Sequence, residues 1–203
     1  MSMTGTPRTR DAENGDTVTT GATRDDPTTN TVLFIHGAAG YLDDRPLAAA
    51  ISEALGAELV MPRLPDDDMS VPSWTSSIRP HVDELSPADM IVAHSFGASM
   101  LVTLLRAMST PPRHATLLAM PNWGPDGWNI AEYVVVGAEP ATSLTMHHCR
   151  DDDVVPYSHL TFNSRVLPSA QAHLHDSGGH QCIGLTGVIA AGVRGQHRAG
   201  ESE

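Results

Sequence analysis

The chain has 203 residues, with 12 basic and 24 acidic side chains, a formal charge of -12, no lysine, and aromatics at only 4%. One domain of this size has room for a core, which here must be aliphatic. The acidic balance argues against nucleic acid, whose phosphates are met by Lys and Arg, and the missing lysine excludes Schiff-base and P-loop chemistry. Two cysteines are too few for a disulfide scaffold. No apolar run approaches the ~20 residues of a membrane span, and the N-terminus carries no apolar leader segment. A cytoplasmic protein without a membrane span is the expectation.

Residues 1–30 are polar, rich in Thr, Gly, Asp and Asn, and lack apolar periodicity. Such a segment cannot bury enough surface to offset its ordering entropy, so it reads as a disordered tail, as does 194–203. The folded domain is then 31–193. It opens with the continuous β-branched run Thr31 to His36, a strand buried on both faces. A helix over Pro46 to Leu55 follows, stopped by Gly56. Glu58 to Met61 is a short strand ended by Pro62. Ser73 to Leu85 reads as a helix capped by Ser73, with Pro80 as a kink. Asp89 to His94 is a strand, Gly97 to Met108 a helix, and Ala115 to Met120 a strand. Leu144 to His148 (strand), Pro156 to Val166 (helix), Ala170 to His175 (strand) and Cys182 to Val193 (helix) complete the series. This alternation predicts an α/β/α sandwich around a mostly parallel sheet. Ligands in such folds bind beyond the carboxyl ends of the strands.

Four segments that follow strands carry candidate chemistry. In Ala93-His94-Ser95-Phe96-Gly97, a strand-turn-helix elbow would raise Ser95 above the sheet, with small residues on either side. Taken alone, Ser95 is equally a helix cap. His36-Gly37-Ala38 follows the first strand, where the Ala38 N–H, with that of Phe96, could face a developing oxyanion. Asp151-Asp152-Asp153 offers a carboxylate to orient an imidazole; the residues alone do not choose among the three. His180, in Asp176-Ser177-Gly178-Gly179-His180, has the intrinsic pKa of a proton shuttle. The chain order Ser, Asp, His is that of nucleophile-elbow hydrolases.

On these motifs the chain resembles the α/β-hydrolase superfamily, in a small form with little or no cap. It is most similar to the YdeN-like small serine hydrolases, which share the Pro-rich stretch Met61 to Pro65. The resemblance covers about Val32 to Ile189. Ala93 and Cys149 stand where glycine is usual. Its register through His148 to Pro156 selects Asp152. It implies about six strands rather than eight, and cleavage of an ester, thioester or amide through an acyl-enzyme. In that mechanism Ser95 attacks, His180 carries the proton, and Asp152 orients His180. No cofactor or metal is implied, and the partner is a small acyl substrate. The alternative is a catalytically silent binding protein on the same fold.

Met120 to Pro140 concentrates the aromatics, and Met120, Trp123 and Trp128 are the candidate substrate-lining residues. Asp43, Asp44, Asp66 to Asp68 and Asp151 to Asp153 all follow strands. With Arg45, Arg63 and Arg150 nearby, they predict a negative rim that favours neutral or cationic substrates. The spacings of His147, His148, Cys149, His173, His175, His180 and Cys182 match no common zinc pattern.

Overall fold

The computed structural model describes residues 30–200, with side chains through 196. Its elements run β1 (Thr31–Ile35), α1 (Arg45–Leu55), β2 (Glu58–Val60), α2 (Val71–Asp83), β3 (Met90–His94), α3 (Ser95–Ala107), β4 (His114–Leu118), β5 (Ser143–Cys149), α4 (Ser158–Val166), β6 (Gln171–His175) and α5 (Thr186–Gly200). The six strands form one sheet in the order β2-β1-β3-β4-β5-β6, with every pairing parallel.

Alternation along the strands builds two cores. Leu33, Ile35, Ile91, Ala93, Leu117 and Met146 pack with Trp74, Ile78, Leu101 and Leu105 on one face. Val32, Phe34, Val92 and Leu118 pack with Ile51, Ile189 and Val193 on the other. Helices α2, α3 and α4 thus cover one face and α1 and α5 the second, the expected three-layer arrangement. The strand order reverses direction between β1 and β3, so a crevice opens beyond their carboxyl ends.

Several boundaries differ from the sequence expectation, each for a local reason. Helix α2 starts at Val71, and its cap is Ser70, whose side chain accepts the Ser73 N–H. Pro72 is accommodated in the first turn, where no N–H is needed. Asp89 stands before β3, its carboxylate accepting the N–H groups of Thr31 at 2.7 Å and Ser86 at 2.8 Å. Helix α5 begins at Thr186 rather than Cys182, because Cys182 (φ +50°) and Gly184 (φ +81°) take left-handed backbone. It then continues to Gly200, into the stretch expected as a polar tail. Arg194 ties it to the Ala54 carbonyl at 2.6 Å. The expected N-terminal tail at 1–29 and the final residues 201–203 lie outside the described residues. Among the described residues, no helix is long and apolar enough to cross a membrane.

Candidate active site

Ser95 sits where β3 turns directly into α3, with φ +52°. A non-glycine residue in this region is strained, and such strain persists only where the surroundings enforce it. The turn is pressed against the end of β1: a Cβ on Gly97 would meet the His36 carbonyl oxygen at 2.2 Å, and one on Gly37 would lie 3.0 Å from Ser95 Cβ.

The three consecutive aspartates do three different things. Asp151 accepts the N–H groups of Gly178 at 3.2 Å and Gly179 at 2.8 Å, anchoring the loop before His180. Asp152 is buried and reaches His180 Nδ1 at 3.0 Å through Oδ2. Its Oδ1 accepts the N–H groups of Val154 and Val155, at 2.9 and 2.8 Å. Asp153 is exposed and lines the cavity described below. Burial pushes the Asp152 carboxyl up. Hydrogen bonds from His148, His180 and the Val155 N–H outweigh it and hold the group well below the usual carboxylate range. His148 supports Asp152 from behind, with Nε2 at 3.2 Å from Oδ2 and 2.8 Å from the Val155 carbonyl.

A cavity of about 750 Å³ collects these elements, lined among others by Ala38, Ser95, Phe96 and His180. One wall is aromatic. Trp123 packs edge-to-face against Phe96 at 5.7 Å, Trp128 at 4.9 Å and Tyr133 at 4.9 Å between ring centroids. The Trp123 indole donates to Ser99 Oγ at 2.8 Å, which fixes that wall. Ile130, Val154 and Ile183 are exposed apolar side chains on the same cavity.

Of the three candidate substrate-lining residues, Trp123 and Trp128 line this cavity and Met120 does not. Met120 is buried and belongs to a separate hollow of about 170 Å³ with Phe162 and Val166. Its carbonyl, held by Asn163 Nδ2 at 2.8 Å, pins it beneath the aromatic wall. The expected rim also loses two members. Asp152 faces histidines, and Asp44 is 1% exposed, accepting the Gly37 N–H at 2.7 Å and contacting His94 Nδ1 at 2.8 Å. Sequence motifs place Asp44 only on the rim and His94 only within the elbow, and carry no signal for Gln181, because the contacts of all three join distant loops.

Among the described residues, no group of three or more His, Cys, Asp or Glu side chains is placed to hold a metal. His147 Nδ1 pairs with His175 Nε2 at 3.0 Å, while neighbouring His148 turns to Asp152. Cys149 and Cys182 are free and buried. Both belong to the apolar cluster that also holds Val32, Phe34 and Ile189.

No protein-family model and no curated protein sequence matches the chain. Its fold has clear counterparts among solved structures. The ydeN gene product from B. subtilis superposes with a TM-score of 0.66 at 15% identity, covering 82% of this chain and all (100%) of that one. Est1E from Butyrivibrio proteoclasticus gives 0.67 at 13% identity, over 86% and 89% of the two chains. Alpha/beta hydrolase domain-containing protein 10 from mouse gives 0.66 at 11% identity, over 87% and 92%. The likeness covers 82–87% of this chain, and the fold is that of the α/β-hydrolases in a reduced, six-stranded form.

Proposed function

We propose that this chain, built on the α/β-hydrolase fold, is a serine hydrolase that cleaves a carboxylic ester through an acyl-enzyme. The observation that carries the reading is the convergence of Ser95, strained at the tip of its elbow, with His180 on one cavity, the imidazole already held by Asp152 at 3.0 Å. In this mechanism His180 Nε2 accepts the Ser95 proton as Oγ attacks the substrate carbonyl. The oxyanion is met by the N–H groups of Ala38 and Phe96, the latter in the first turn of α3, where the helix dipole favours negative charge. Collapse of the tetrahedral intermediate breaks the ester C–O bond, and the imidazolium returns its proton to the departing alkoxide. Water, deprotonated by His180, then attacks the acyl carbon and frees the acid and Ser95. Asp152 keeps the Nδ1 proton in place and stabilises the cation.

The walls support a neutral substrate with an apolar acyl or alcohol group. Phe96, Trp123, Trp128 and Tyr133 offer ring faces and edges, and the acidic groups left on the cavity surface are Asp43 and Asp153. These two would disfavour an anionic ester at low salt.

Labelling with a fluorophosphonate, together with hydrolysis of short, long and aromatic acyl esters, tests the proposal. Wild type is expected to be labelled at Ser95 and to hydrolyse at least one ester, and Ser95→Ala to do neither. A folded wild-type sample that is not labelled, with hydrolysis equal to that of Ser95→Ala across the panel, would overturn it. Faster turnover of an anionic ester than of a neutral one of equal length, at low ionic strength, would overturn the substrate preference alone.

A further inference from the structure

We propose that Asp44 and His94 form a buried ion pair that locks together the three loops of the site, making both of them positioning residues. The proposal rests on the serine-hydrolase reading above.

The charge state follows from the hydrogen-bond partners. His94 Nδ1 lies 2.8 Å from Asp44 Oδ2, and its Nε2 lies 2.9 Å from the His180 carbonyl oxygen. A carboxylate and a carbonyl only accept. A neutral imidazole has one N–H, so one of its lone pairs would face an oxygen lone pair at hydrogen-bond distance. Both contacts are satisfied only if each ring nitrogen carries a proton. Asp44 does not supply the missing proton. Its Oδ2 accepts the Gly37 N–H and its Oδ1 accepts the Gln181 amide, so donors other than His94 already stabilise the charged carboxylate. His36 shows the contrast. Its Nδ1 faces the Gly37 carbonyl at 2.7 Å and its Nε2 accepts the Leu64 N–H at 3.1 Å, one donor and one acceptor, as a neutral ring requires.

The pair sits at a junction. Asp44 Oδ2 takes the Gly37 N–H from the loop after β1 at 2.7 Å, and Oδ1 takes the Gln181 amide from the loop after β6 at 2.9 Å. His94 is the residue before Ser95, and its ring lies tilted by 54° against that of His180, 4.6 Å between centroids. Ala38 follows Gly37, Ser95 follows His94, and His180 is held through its own carbonyl and precedes Gln181. The loop is shaped around the carboxylate: a Cβ on Gly40 would stand 2.8 Å from Asp44 Oδ2. Side-chain exposure of His94 and Asp44 is 1% and 2%, so solvent screens the pair little. A misplacement of about 1 Å among reacting groups costs on the order of 100-fold in rate.

The test compares wild type, His94→Gln, Asp44→Asn, the double variant and Gln181→Met. Three readouts serve: the fluorophosphonate labelling rate, kcat and KM on an ester that wild type hydrolyses, and the side-chain ¹⁵N signals of His94 in wild type. His94→Gln and Asp44→Asn are each expected to slow labelling and kcat about 100-fold, with KM changed less than about threefold. The double variant should fall within about threefold of the worse single, as for residues acting as one unit. Gln181→Met, which leaves the pair intact, should lose about tenfold or less. Ile78→Val, a core change away from the site, should keep the wild-type labelling rate. Wild-type His94 should show two protonated ring nitrogens. If Asp44→Asn does not fold, His94→Gln and the wild-type spectrum carry the test. Labelling of folded His94→Gln at the wild-type rate, or a single protonated nitrogen on His94, overturns the proposal. Absence of labelling in wild type instead overturns the serine-hydrolase reading.

Discussion

Gly97 touches the backbone of His36: a side chain as small as a methyl group at 97 would come within 2.2 Å of the His36 carbonyl oxygen and 2.8 Å of Ile35 Cγ2. The elbow carrying Ser95 therefore lies flush against the end of β1. That contact sets the gap between the serine and the Gly37-Ala38 loop. Gly97→Ala must push α3 away from β1, since backbone atoms cannot rotate aside as a side chain can. We expect a destabilisation of about 2 kcal/mol or more and a fall in ester hydrolysis of about 100-fold. Urea unfolding and initial rates check both; a Gly97→Ala protein with wild-type activity would refute the tight elbow.

Asp151, Asp152 and Asp153 should separate cleanly on substitution by Asn. Asp152→Asn removes the charge that holds His180 and should lower kcat by about 10⁴, the effect known for a triad aspartate. Asp151→Asn loosens the anchors on Gly178 and Gly179 and should cost about tenfold. Asp153→Asn, exposed at the cavity, should change a neutral ester by less than about twofold. Equal losses at 151 and 152 would contradict the division of labour.

His147 gives the fold an acid-sensitive element. It is pushed down to about 3, by burial first and then by the neighbouring charges of His173 and His175. Above pH 6.5 it is neutral whether folded or unfolded and has no effect. Between 6.5 and about 3 the unfolded chain binds a proton that the native state refuses, so stability falls as pH falls, by up to about 1.4 kcal/mol per pH unit. His159 and His175, also lowered chiefly by burial, act in the same direction. Asp44 and Asp152 are lowered as well, but theirs is stability lost only near and below the ordinary carboxylate range. Urea unfolding between pH 6.5 and 5 should show the loss, and His147→Leu should reduce its slope. Parallel curves for the two proteins would rule His147 out as the source.

Cys149 and Cys182 are 0% and 1% exposed, and burial pushes both thiols up, Cys182 the further. The thiolate is the reactive form, so both should resist iodoacetamide in the native protein by at least about 100-fold relative to a free thiol at pH 8. Urea should release two reactive thiols. Rapid modification of either one in the folded protein would disprove the buried placement.

Residue pattern alone determined the parallel α/β/α architecture, the position of each strand to within one or two residues at most ends, and the candidacy of Ser95 and His180. These are local properties: apolar runs that stop at Gly or Pro, small residues around a turn, and chemistry placed just after strands. Folding decided what depends on loops meeting in space. The residues alone left Asp151, Asp152 and Asp153 equal and the family resemblance selected Asp152, but the partners of each follow from how the chain turns after β5. Asp44 was read as a surface charge because nothing in Asp43-Asp44-Arg45 reveals that Gly37, His94 and Gln181 surround it. Met120 left the cavity because Asn163, 43 positions on, holds its carbonyl below the aromatic wall. Periodicity records which face of an element is buried, whereas the partner of a polar side chain is fixed only when distant segments come within hydrogen-bond reach.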